Sequence, residues 1–173
     1  SRGLLVVHDG TSIQTDVESA GDEPYWLADR LQVPTVVCSS KVDAAVHAAG
    51  HLNCDVIVVD DGFQHRALHR DIDIVLVDDF TVFTSLLPSG RLREPLTSLS
   101  RADVVLLTST QDADNLTNVV RSYTSAEIYR TEITATSSDV VSENPVVLVS
   151  GIANPQRFVF SAASLGYVVA DTM

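Results

Sequence analysis

Residues 54–78 read CDVIVVDDGFQHRALHRDIDIVLVD, and this stretch decides the fold. Val56–Val59 and Ile72–Val77 are apolar without alternation. Runs of that kind are expected of strands buried on both faces of a parallel sheet. The first run stops on Asp60 and Asp61, and Gly62, Gln64 and His65 follow at once. In an open α/β sheet, ligands sit beyond the carboxyl ends of the strands. A pair of carboxylates there marks a candidate site.

The same alternation continues outward. Leu4–His8 predicts a strand, and residues 9–23 a polar loop. A helix is expected from Pro24, with Asp22 and Glu23 at its positive end. Residues 34–38 predict a strand. Residues 40–52 predict a helix capped by Ser40, with Val42, Ala45, Val46 and Ala49 on one face. After the loop PSGRLREP (88–95) a short helix is expected, then a strand at 102–109 and a helix at 111–123. Further strands are expected at 125–134, 144–153 and 167–170, with a helix at 154–166 ended by Gly166. Strands alternating with helices at this spacing predict an α/β fold with a mostly parallel sheet and flanking helices. TSSDVVSEN (136–144) reads as a linker.

Of the 173 residues, 45% are apolar and 20% charged, enough for a hydrophobic core. The formal net charge of −12 argues against a nucleic-acid surface, which needs a basic face. Cys38 and Cys54 lack CxxC spacing and read as reduced core thiols of a cytosolic protein. No run reaches the ~18–20 apolar residues of a membrane span. The apolar run after Ser1 and the strand-like YVVA just before Asp171–Met173 read as cut ends of a longer protein.

A short parallel strand ending in Asp-Asp is the Walker B pattern, in which one aspartate holds Mg2+ directly or through water. Gly62 would allow a tight turn after the pair. Asp-Asp-Gly alone reads more readily as a solvated turn. Gln64, His65, Arg66, His69 and Arg70 add hydrogen-bonding groups within a few positions. His65 and His69 would share a face if helical, although no Cys or HExxH pattern supports zinc. Arg66, His69 and Arg70 also fit a solvated loop.

The run DDGFQHRALHRDIDIVLVD (60–78) strongly resembles the core signature of the tetraacyldisaccharide 4'-kinase family. LLPSGRLREPLTSLSRADVVLLT (86–108) resembles its PAGPLREPL…ADAVV region, AGDEPYWLADRL (20–31) its GDEP helix start, and SGIANPQRFVFSAASLGYVV (150–169) its GIAxPxRF segment. The four blocks occur in the family's order. The family's GGTGKT/S loop and FPDHH segment do not occur in these residues.

The resemblance implies a P-loop NTPase-like core, incomplete here, over residues 1–136. Residues 137–173 would begin a smaller C-terminal lobe or return to the sheet. It implies transfer of the γ-phosphoryl of ATP, with Mg2+, to the 4'-hydroxyl of a lipid disaccharide 1-phosphate. The setting would be the cytoplasmic face of the bacterial inner membrane, in lipid A biosynthesis, with no nucleic acid involved.

By resemblance, Asp60 and Asp61 are the Walker B pair for Mg2+, with Gln64 on the cofactor side. His65 is the histidine beside them. Asp22 is the base for the sugar hydroxyl; its plain alternative is a helix-start acid. Arg91 and Arg93 are phosphate donors, with Glu94 as support; their plain alternative is surface ion pairing. Without the GGTGKT/S loop the isolated chain is expected to be inactive. A dehydrogenase would need a GxGxxG turn, which does not occur. A non-catalytic Mg2+ or nucleotide-binding α/β module is the alternative.

Overall fold

Strand β1 (Leu5–His8) pairs with β2 (Thr35–Val37), Leu5 opposite Val37 and Val6 opposite Val36. The computed structural model describes residues 3–108, 112–131, 134, 136, 144–152 and 155–173. The chain divides into two compact units, Ser1–Ile74 and Val75–Met173.

In the first unit β1 and β2 run antiparallel, a local departure from the expected parallel order. Between them lie α1 (Val17–Ala20) and α2 (Asp22–Leu31), and α3 (Lys41–His51) follows β2. Helix α1 falls where a loop is expected. It is one turn long, too short to leave a 3.6-residue period. Asp16 caps it by accepting from the Ser19 N–H at 2.7 Å, and that donation holds the Asp16 carboxyl below the usual carboxylate value. Helix α3 begins as expected, with Ser40 Oγ accepting from the Asp43 N–H at 3.2 Å. Val7, Ala20 and Ala28 are buried together, with Leu5, Tyr25 and Val37 packed around them.

Val56–Val59 is not a strand, contrary to expectation, and no strand among the described residues pairs with it. Val56 is 81% exposed and Val58 92%. Apolar composition makes a run competent for a sheet, but a ladder partner and a covering layer make it a strand.

In the second unit, which begins one residue inside β3 (Ile74–Asp78), the sheet order is β3, β4 (Val104–Thr108), β5 (Glu127–Arg130). β4 and β5 are parallel, with Val104 beside Glu127 and Leu107 beside Arg130. Asp78 caps the short helix α4 (Asp79–Val82) through the Thr81 N–H at 2.6 Å. A 3-10 helix spans Leu96–Arg101. Helix α5 (Ala113–Arg121) places Leu116 and Val120 one turn apart, both buried, on the β4 side where Val105 and Leu107 are also buried. Further along, β6 (Val146–Leu148) and β7 (Val169–Thr172) pair in parallel, joined through α6 (Pro155–Ser164). Gly166, at φ 93°, lets the chain leave α6 in a conformation that disfavours a side chain.

The class is therefore α/β, with two parallel strand sets. The expected boundary after residue 136, most of the expected linker, and Ala153 and Asn154 of the GIANPQRF block lie outside the described residues.

Candidate active site

The acidic pair sits on a run of turns rather than at a strand end. Asp61 has φ 51°, in the left-handed region that aspartate tolerates better than most residues. The buried Gly62 does a different job from the turn expected of it. A Cβ there would lie 3.1 Å from Val59 Cγ1 and 3.2 Å from the Val59 carbonyl oxygen. Glycine favours this close approach, while Asp61 makes the unusual turn. From the start of α3, the Lys41 ammonium donates to the Asp60 carbonyl. Asp60, Asp61, Gln64 and His65 are each exposed.

Backbone bonds close the following residues. His65 N–H donates to the Gly62 carbonyl at 2.9 Å, Arg66 N–H to Gln64 at 3.0 Å and Leu68 N–H to His65 at 3.1 Å. The segment is not helical, so the shared face considered for His65 and His69 does not form.

Arg70 is no solvated loop residue. Its Nε and Nη2 hold the two Asp73 carboxylate oxygens at 2.6 and 3.1 Å. Its Nη1 donates to the carbonyls of His65 at 2.6 Å and Leu68 at 2.8 Å. The Asp73 hydrogen bond pushes the guanidinium pKa further up, so the staple keeps its charge. Spacing could not reveal this role, because two of the acceptors are backbone carbonyls.

Asp22 is the first residue of α2, directly after Gly21 at φ 95°. Its exposed carboxylate stands at the positive end of a ten-residue helix. That placement suits a helix-start acid and leaves the carboxylate open to a ligand.

The arginine loop belongs to the second unit. Leu87 N–H donates to the Leu92 carbonyl at 2.9 Å, Leu92 N–H to Ser85 at 3.2 Å and Gly90 N–H to Leu86 at 3.0 Å. A Cβ on Gly90 would fall 2.0 Å from the Ser85 carbonyl oxygen, so no other residue fits this backbone. Arg91 does not extend freely. Its guanidinium carbon lies 3.7 Å from the Phe80 ring centroid, a cation–π contact. The Arg91 N–H donates to Thr84 Oγ1 at 3.1 Å. Glu94 Oε2 accepts from Arg101 Nη2 at 2.6 Å, in a pair shielded to 21% and 28% side-chain exposure. Arg93, between them, is exposed. Phe80 and Arg101 are partners that sequence spacing does not single out.

Among the described residues, no three His, Cys, Asp or Glu side chains converge as a metal cage. Mg2+ needs none: it is commonly held by one or two carboxylates plus phosphates and waters. Two adjacent, exposed, hard-oxygen donors at Asp60 and Asp61 fit that ligand set. No helix among the described residues is long and apolar enough to cross a membrane.

A family model described as tetraacyldisaccharide-1-P 4'-kinase matches residues 1–173. The chain belongs to this kinase family. Among the family's curated members, the Halothermothrix orenii tetraacyldisaccharide 4'-kinase is 34% identical over 97% of this chain and 51% of its own length. The Shewanella frigidimarina enzyme of the same name is 39% identical, over all of this chain and 52% of its own. A crystal structure of the "apo" form of LpxK from Aquifex aeolicus in complex with ATP superposes with a TM-score of 0.74 at 28% identity. It covers all of this chain and 57% of that one. The chain thus spans about half the length of the family members it matches.

Proposed function

We propose that the protein containing this chain phosphorylates the 4'-hydroxyl of a tetraacyldisaccharide 1-phosphate with ATP. The family match over all 173 residues carries this reading. The exposed acidic turn is its local support, and the ATP named in the Aquifex aeolicus structure supports the donor.

Phosphoryl transfer of this kind is largely positioning and charge neutralisation. Asp61 and Asp60 would hold Mg2+, directly or through water. A metal held there would supply neutralisation of phosphate charge. Gln64 and His65, exposed in the residues that follow, donate hydrogen bonds to the nucleotide phosphates. Asp22 takes the proton from the 4'-hydroxyl as that oxygen attacks phosphorus. Arg93 meets the anomeric phosphate of the acceptor, while Arg91, lying on Phe80, and Glu94, tied to Arg101, shape its loop. The family's GGTGKT/S phosphate loop does not occur among these residues. A lipid acceptor used together with ATP supports a setting for the complete protein at the cytoplasmic face of the inner membrane.

The test is incubation of the complete protein with γ-labelled ATP, Mg2+ and the disaccharide 1-phosphate. Label is expected on the lipid at the 4'-position. Nucleotide binding without transfer would replace this reading with the non-catalytic module.

A further inference from the structure

We propose that Arg101 is a positioning residue for recognition of the acceptor's anomeric phosphate, acting through Glu94; this rests on the kinase reading above. Arg101 closes the 3-10 helix Leu96–Arg101, two residues after the buried Leu99 and just before the buried Ala102. Buried residues thus flank it in sequence, and β4 begins at Val104. From there the guanidinium reaches back seven residues to Glu94, at 2.6 Å. The pair is shielded enough to exceed a solvent-exposed ion pair in worth, and its guanidinium–carboxylate chemistry is directional.

This tie fixes the outgoing end of the loop. The incoming end is fixed by different contacts: Arg91 N–H on Thr84 Oγ1, its guanidinium on Phe80, and Gly90 against Ser85. Arg93 lies between these anchors, one residue from Glu94 and two from Arg91. An arginine that must meet a phosphate gains affinity when its backbone is ordered beforehand. Arg101 supplies that order at one end without touching the ligand. A lysine at 101 keeps the charge but not the planar fork.

The experiment uses the complete enzyme with two acceptors, the disaccharide 1-phosphate and the same disaccharide lacking that phosphate. Arg101→Ala should raise KM for the phosphorylated acceptor about tenfold, with KM for ATP and for the unphosphorylated acceptor within about twofold of wild type. Arg101→Lys should recover part of the loss. Arg101→Ala placed on Glu94→Gln should add little, because both remove one tie. Should Arg101→Ala fail to fold, Glu94→Gln alone must show the same split between acceptors. Equal KM changes for both acceptors and ATP, or none, overturn the positioning role while leaving the kinase reading intact. If the wild-type enzyme labels neither acceptor, the kinase reading fails and this inference falls with it.

Discussion

Asp22 and Asp61 are both exposed acids, yet their backbones ask for different chemistry. Asp22 opens a helix, its exposed carboxylate standing at the positive end and open to a hydroxyl donor. Asp61 occupies a left-handed turn beside a second carboxylate, a setting suited to a cation. In the complete enzyme, Asp22→Ala should lower kcat by ~10²–10⁴-fold, the usual range for a general base, while KM for ATP stays near wild type. Steady-state kinetics with each substrate varied check this. Near-normal kcat would return Asp22 to a helix-start acid. Both residues stand out in sequence, as does Gly62, but their division of labour does not. It depends on a φ angle and on the 3.1 Å approach to Val59, which three letters cannot encode.

Among the elements, α2, α3 and α5 were legible because each carries a periodic face, with a side-chain cap before α3 and α5. Helices α1 and α4 have four residues each and left no period to read. The strand expected at Val56–Val59 failed for the opposite reason: its composition is right, but pairing is a property of neighbours. The turn that follows is held by Arg70, whose guanidinium meets Asp73, His65 and Leu68. Arg70→Ala should cost about 1–3 kcal/mol, the scale of losing hydrogen bonds to a charged group. Lysine should restore only part, lacking the fork. Thermal melts of the complete protein, paired with kinase assays, check both. Activity that falls while the melt stays level would mean that Arg70 acts on ligand instead of the turn.

At the scale of the whole molecule, exposed apolar side chains are the main discrepancy with an ordinary α/β core. β3 turns Ile74 and Leu76 to solvent, and Val56 and Val58 stand open elsewhere. We attribute this to layers supplied by the rest of the family's length, of which this chain spans about half. The 173-residue chain alone should bind a hydrophobic dye strongly, and the complete protein weakly. Equally weak binding by both would mean that these faces need no cover. The family was legible in the four motif blocks, while the anchors Phe80 and Arg101 were not, since each is a contact made in three dimensions. The central claim is that the Asp60–Asp61 turn works as the Mg2+ site of phosphoryl transfer. Its most direct test measures activity against Mg2+ concentration for Asp61→Asn in the complete enzyme, beside a metal-free melt. Severe loss of activity at limiting Mg2+ is predicted, with a melt level with wild type or higher, because one of two neighbouring like charges has gone. Wild-type activity at limiting Mg2+, or collapse of the metal-free fold, would contradict it.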